Sequence, residues 1–261
     1  MRRGVIDSRK HEVILEYKER EKSHTGFIIE GERLIKRAVD DGLMLRSIIY
    51  NSKSGLERDG YIDKAGCDCY RAGEGIISAV STSKPVPLGV ALCVMPEYKL
   101  DEIISGGRIA LLITDCVNNP DNLGLIIRTA DACGVDAVIV TGIGAAPYNK
   151  NCVRASRGAI GRLPTLYYPD GVAALVAELK SAGVIIIGSD IKADIMLGDV
   201  RNSWQVPEKF ALIVGNESVG MSVEMCDMCD IMIKIEMAQG RQSSFNVAVA
   251  AGIILNRLIG G

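Results

Sequence analysis

The chain has 261 residues, with 30 Lys and Arg against 32 Asp and Glu and a formal net charge of −2. Its 48% apolar content suits one large or two modest globular domains and excludes a disordered or collagen-like chain. The balanced charge excludes a strongly basic nucleic-acid coat, so any contact with RNA has to come from local patches.

Residues 1–24 are rich in charge and lack a signal-peptide core, and no apolar run in the chain reaches the roughly 20 residues that a membrane span needs. An N-terminal tail and a cytoplasmic protein are expected. Eight cysteines, with Cys93, Cys116, Cys133 and Cys152 in apolar segments, fit a reducing compartment where a free thiol packs as a small hydrophobe.

Residues 26–95 alternate short helix and strand patterns and read as a small α/β domain ending at residue 96. "EGERLIKRAVDDG" places Leu34, Ile35 and Ala38 on one helical face and Arg33, Lys36 and Arg37 on the other, with Gly42 as the stop. "RSIIYN" and "LGVALCV" read as strands, "EGIISAVS" as a short helix, and "STSKPVP", with Lys84, as a turn. Composition shifts at residues 97–107, which read as a linker.

From residue 108 the pattern is β-α repeated to residue 261. "IALLIT", "DAVIVT", "GVIIIGSD", "FALIVG" and "IMIKIEM" are continuous apolar strands, and a last helix covers about residues 245–258. Such runs separated by helices argue for a parallel sheet covered on both faces. Ligands of these sheets sit at the carboxyl ends of the strands.

Three loops at such ends stand out. "NNPDNLGLIIRTADACG" has Asp121 or Asn122 to cap a helix that carries Arg128 one turn after Gly124 and ends at Gly134. "VGNESVG" puts Glu217 after Gly215, a residue free to take an unusual backbone angle. "QGRQSSFNVAVAAGIIL" runs from a loop at residues 240–243 into the last helix, with Ser243 or Ser244 as cap. Other patterns carry less. Cys226 and Cys229 form a CxxC without a matching second pair, so no metal is expected. "TGIGAAP" lacks the third glycine of a dinucleotide site. His11 and His24, the only histidines, lie outside the second half, so no serine-histidine triad is expected there.

Taken together, Asn122-x-Gly124-x-x-x-Arg128, Gly215-Asn216-Glu217-x-x-Gly220, and Ile235-x-Met237 followed by Ser244-Phe245-Asn246-Val247 resemble the three motifs of the SpoU (TrmH-type) RNA ribose 2′-O-methyltransferases of the SPOUT superfamily. "RASRGAIGRLP" at 154–164 is similar to the segment between the first and second motifs, and residues 26–95 resemble the ribosomal-protein-like substrate-binding domain that precedes many members. Two positions depart from the pattern. Glu236 stands where proline is usual, which would loosen the cofactor loop, and Phe245 stands where leucine is usual.

The resemblance implies a parallel-sheet catalytic domain with a trefoil knot, a homodimer, and S-adenosylmethionine as cofactor. Gly215, Asn216, Gly220, Ile235, Met237, Ser244 and Asn246 would bind or shape the cofactor site. Arg128, Asn122, Glu217, Ser244 and Asn246 would form the catalytic set, with Arg128 on the RNA phosphate, Asn122 orienting the ribose and Glu217 fixing Asn122 or Arg128. Arg33, Lys36, Arg37, Lys84, Arg154 and Arg157 would contact RNA. The expected activity is 2′-O-methylation of ribosomal RNA of the 23S type. The alternatives are a transfer-RNA 2′-O-methyltransferase and a non-catalytic SPOUT-like RNA-binding protein.

Overall fold

The structure is a computed structural model that describes residues 1–200, 205–238 and 244–260. In chain order the elements are β1 (Arg3–Ile6), α1 (Glu12–Ser23), β2 (Gly26–Glu30), α2 (Glu32–Asp40), β3 (Leu45–Tyr50), α3 (Gly55–Arg58), α4 (Tyr61–Lys64), β4 (Asp68–Ala72), α5 (Glu74–Ile77) and β5 (Gly89–Val94). They continue with α6 (Leu100–Ile104), β6 (Ile109–Asp115), α7 (Pro120–Cys133), β7 (Ala137–Thr141), α8 (Lys150–Ala155), β8 (Thr165–Tyr168), α9 (Val172–Ser181), β9 (Ile185–Ser189), β10 (Ile195–Met196), β11 (Lys209–Val214), α10 (Val223–Met228), β12 (Ile231–Lys234) and α11 (Val247–Ile259). Among the described residues no helix is long and apolar enough to cross a membrane.

The chain forms two compact units. The first is Met1–Glu97 with Tyr148–Arg162, and the second is Tyr98–Pro147 with Leu163–Gly261. Residues 148–162 therefore leave the second half of the sequence, where the motif order places them, and pack with the first.

The first unit holds a five-stranded mixed sheet in the order β1-β4-β3-β5-β2. Residues 1–24 are not a tail: β1 pairs parallel with β4, and α1 buries Ile14 and Tyr17 completely. The Tyr17 hydroxyl donates to the Ser47 carbonyl at 2.8 Å and accepts from the Leu92 amide at 3.0 Å, so a fully buried phenol has both its needs met. The charges of α1 hid this helix, because they outnumber its buried residues, Val13, Ile14 and Tyr17. In the segment that rejoins this unit, α8 packs on β2 and the Phe27 and Tyr148 rings lie 4.9 Å apart.

The second unit is a seven-stranded sheet, β10-β12-β9-β11-β6-β7-β8, in which every described pair is parallel. All residues of β6 and β7 are buried, which is why these strands read as unbroken apolar runs. Leu111, Ile113, Ile139, Ile186 and Ile213 pack with Leu175, Val176 and Leu179 of α9. The expected linker joins this core: Leu100 and Ile104 of α6 are buried in it, with Ile103 alongside. Their spacing is that of an amphipathic turn, which the flanking acids and glycines obscured. The strands β7 and β8 extend one side of β6, and the chain then returns to build β9, β11 and β12 on the other, which puts a topological switch between β6 and β11.

Candidate active site

At the carboxyl end of β6 the chain turns into α7. The cap is Asn119, not Asp121 or Asn122: its side chain accepts the amides of Asp121 at 2.8 Å and Asn122 at 3.4 Å. Pro120 is then the first helical residue, where its fixed φ suits the helix and its missing N–H costs nothing. Gly134 closes the helix in the left-handed region at φ 80°.

After β11, Asn216 and Gly220 exchange backbone hydrogen bonds at 2.9 and 3.0 Å and close a tight loop. Gly220, at φ 76°, takes the unusual backbone angle. Gly215 is needed for a different reason, since a side chain there would overlap the Gly220–Met221 peptide. The Asn216 carboxamide accepts the amides of Ser218 and Val219 and donates to the Cys116 carbonyl at 2.8 Å, tying this loop to the end of β6. Buried Asp115 does the same from the other side by accepting the Ser222 amide at 2.7 Å.

The three motif loops then meet in one hydrogen-bonded relay. Asn246 Nδ2 donates to Asn122 Oδ1 at 3.0 Å, and Asn122 Nδ2 donates to Glu217 Oε1 at 2.9 Å. The Glu217 carboxylate also accepts the amides of Asn118 at 3.3 Å and Asn119 at 3.2 Å. Burial pushes the Glu217 carboxyl up, but the Asn122 side chain and the backbone amides of Glu217, Asn118 and Asn119 outweigh it and hold the group below its ordinary value. Glu217 is therefore an ionised acceptor at neutral pH. Asn246 also caps α11 by accepting the Ala248 amide at 2.9 Å, a role the sequence had assigned to Ser243 or Ser244. Ser244 is exposed, and residues 240–243 lie outside the described residues.

Beside the relay, a cavity of about 370 Å³ opens at the carboxyl ends of β9, β11 and β12. Gly215, Asn216, Gly220, Ile235, Met237 and Ser244 all line it, with Glu217 and Phe245. That volume is in the range of small-molecule pockets, roughly 300–1,000 Å³. Sequence reasoning missed Asp190 and Lys192, which also line it. They follow β9, in a stretch that lacks the glycines and asparagines that mark the other strand-end loops. The missed Asn119 had its own signal in the proline after it.

Arg128 is exposed on α7 and does not line the cavity. Among the described residues it has no hydrogen bond or ion pair. Arg33, Lys36, Arg37, Lys84, Arg154 and Arg157 all belong to the first unit. The α2 face is less basic than its sequence: Lys36 Nζ sits 2.8 Å from Glu32 and 2.6 Å from Asp59, and Arg37 lies 3.5 Å from Asp41. Arg33 and Lys84 remain exposed. Cys226 and Cys229 are free, partly buried thiols, and burial pushes Cys229 up to about 12, which keeps it protonated and unreactive. Among the described residues no cluster of His, Cys, Asp and Glu is arranged to hold a metal ion.

The arrangement has counterparts in known proteins. The SpoU rRNA Methylase family model matches residues 110–256. A Bacillus subtilis protein named 23S rRNA (guanosine(2553)-2'-O)-methyltransferase RlmP is 33% identical over 98% of this chain and 99% of its own length. A Streptomyces viridochromogenes 23S rRNA (uridine(2479)-2'-O)-methyltransferase is 30% identical over 88% of this chain and 80% of its own. The crystal structure of the SpoU methyltransferase AviRb from Streptomyces viridochromogenes, in complex with AdoMet, superposes with a TM-score of 0.83 at 25% identity, covering 96% of this chain and 97% of that one. With a match across more than half its length and relatives of similar extent, the chain belongs to the SpoU rRNA methylase family.

Proposed function

We propose that the protein transfers the methyl group of S-adenosylmethionine to a ribose 2′-oxygen of ribosomal RNA. The observation that carries this reading is the cavity at the carboxyl ends of β9, β11 and β12, walled by two of the motif loops and joined to the third by the Asn246–Asn122–Glu217 relay. Relatives of similar length named as 23S rRNA 2′-O-methyltransferases favour ribosomal over transfer RNA.

Gly215, Asn216, Gly220, Ile235, Met237 and Ser244 would hold the cofactor, and Asn246 supports the pocket through Asn122 and the start of α11. When bound, S-adenosylmethionine supplies a methyl group already activated by its sulfonium. The remaining work belongs to the chain. A ribose hydroxyl is a weak nucleophile, so it needs orientation and an exit for its proton. Asn122, its amide fixed from both ends, orients the ribose. Glu217 stays ionised and holds Asn122 and the 118–119 backbone in place. Arg128 has no protein partner among the described residues and is free to grip the RNA phosphate beside the target ribose. A guanidinium is not a free base at neutral pH, so removal of the 2′ proton is assisted by the phosphate that Arg128 grips.

The second unit acts as a homodimer in this reading. Leu125 of α7 and Val249 and Ile253 of α11 are large apolar residues left 38%, 46% and 36% exposed around one shallow depression. Arg128 shares a helical face with Leu125, one turn on, so the subunit contact and the arginine are neighbours and the site draws on both copies. The first unit serves as the ribosomal-protein-like RNA-binding domain, with Arg33, Lys84, Arg154 and Arg157 as its contacts. The trefoil knot rests on the family resemblance, and the cytoplasmic location on the charged N-terminal segment and the free cysteines.

The test is transfer of labelled methyl from S-adenosylmethionine to separated ribosomal and transfer RNA, followed by nuclease digestion. Label on a ribose of ribosomal RNA is expected. Label on transfer RNA keeps the chemistry and overturns the substrate. Failure to bind the cofactor at all would favour a non-catalytic RNA-binding role.

A further inference from the structure

Ile235 and Met237 both line the cavity, and Glu236 stands between them. Adjacent side chains of a segment running on from a strand point to opposite sides, so Glu236 should face away from the pocket. It does: its Oε1 accepts the Gly198 amide at 2.6 Å. The approach is close enough that a side chain at position 198 would come within 2.5 Å of that oxygen.

Gly198 belongs to a 3-10 turn, Leu197–Asp199, seated by buried Leu197 and Val200. The other side of the turn is held by the last helix. Arg257 Nη2 donates to the Gly198 carbonyl at 3.2 Å and to the Val200 carbonyl at 2.8 Å. Val247, Ala250 and Ile254 of α11 line the cavity, and Arg257 continues the same helical face by three residues. One short turn thus links the two walls of the pocket, gripped on its N–H by Glu236 and on its C=O by Arg257.

We propose that Glu236 is a positioning residue for the cofactor segment. Its carboxylate, anchored on the Gly198 amide, holds Ile235 and Met237 against the cavity. It does by a charge-assisted hydrogen bond what a proline at this place does by restricting φ. The departure from the family pattern is a replacement of one restraint by another and not a loosening. Pre-ordering this segment lowers the entropy lost on binding, so the effect falls on cofactor affinity. The inference rests on the reading of the cavity as the S-adenosylmethionine pocket.

The experiment compares the wild type with Glu236→Ala and Glu236→Gln in the full-length protein. S-adenosylmethionine affinity is measured by calorimetric titration, KM and kcat by methyl transfer, and the Gly198 amide by hydrogen exchange without cofactor. Glu236→Ala should weaken binding about tenfold, the usual effect of losing a hydrogen bond to a charged group. It should raise KM for the cofactor while leaving kcat at saturation close to wild type, and it should speed exchange at Gly198. Glu236→Gln keeps an acceptor and should recover most of the affinity and the protection. Wild-type affinity in Glu236→Ala, or a Gln variant as weak as Ala, overturns the proposal. Unchanged exchange at Gly198 overturns it independently of any ligand. Absence of binding in the wild type would instead sink the reading of the pocket itself.

Discussion

Asn246 donates to Asn122 across 124 positions of sequence, 3.0 Å from nitrogen to oxygen. This contact fixes which way the Asn122 amide points, since its oxygen is engaged by Asn246 and its nitrogen by Glu217. Asn246→Asp separates the two duties of Asn246. Aspartate caps a helix as well as asparagine, so melting temperature should stay near wild type, while the lost donor lets Asn122 swing. Methyl transfer should fall about tenfold, the scale of one hydrogen bond. Asn122→Asp should fall further than Asn122→Ala, because it sets a second carboxylate against Glu217. Equal rates for those two variants would contradict the relay.

Gly215→Ala should abolish cofactor binding. The new methyl group overlaps the Gly220–Met221 peptide, so the loop must open. Overpacking of this kind costs about 1–3 kcal/mol. Thermal melting with and without S-adenosylmethionine checks both effects: the variant should melt lower and lose the shift that the ligand gives.

The Glu217 clasp predicts an acid limb. Its folded value lies below the ordinary 4.5. The stabilisation is therefore complete above about pH 4.5 and is lost as pH falls through the lower folded value. Comparing wild type with Glu217→Gln by thermal melting should show a constant gap at neutral pH that narrows below that point. A gap that persists unchanged into acid would remove the charge from the argument.

The site was more legible than the frame around it. Gly215, Asn216, Gly220, Ile235, Met237 and Ser244 were readable because a pocket made by loops at strand ends leaves its residues in short contiguous motifs. What joins those motifs was hidden. The Asn246–Asn122 and Glu236–Gly198 contacts span long sequence separations, and no local pattern records them. The same holds for α1, whose single buried stripe of Val13, Ile14 and Tyr17 is outnumbered by charges. Lys36 departs from its sequence in the opposite sense. A basic residue on a helix face looks available until Asp59, far along the chain, closes on it.

That difference gives a test on the first unit. Arg33→Ala should weaken RNA binding and lower the salt dependence by about one unit of slope, as expected for one lost phosphate contact. Lys36→Ala should lower the melting temperature slightly by removing the ion pairs to Glu32 and Asp59, with little change in the salt slope. Filter binding across a salt series distinguishes them, and a reversed pattern would return Lys36 to the RNA surface.

If the proposed dimer contact is the α7–α11 face, Leu125→Glu with Ile253→Glu should yield a monomer by light scattering, since buried charges there would be strongly unfavourable. The secondary-structure signal should not change, because both residues face outward. A dimer that survives both substitutions would place the contact elsewhere.

The polypeptide passes from one unit to the other three times, after residues 97, 147 and 162. A cut at residue 97 therefore does not release a self-sufficient catalytic half. It leaves residues 148–162 dangling, with Cys152, Val153 and Ile160 stripped of the surface that buries them and Tyr148 without Phe27. Replacing the first unit by another module thus requires transplanting two pieces of chain together, and evolution faces the same constraint: the two units are stitched and are inherited as a pair.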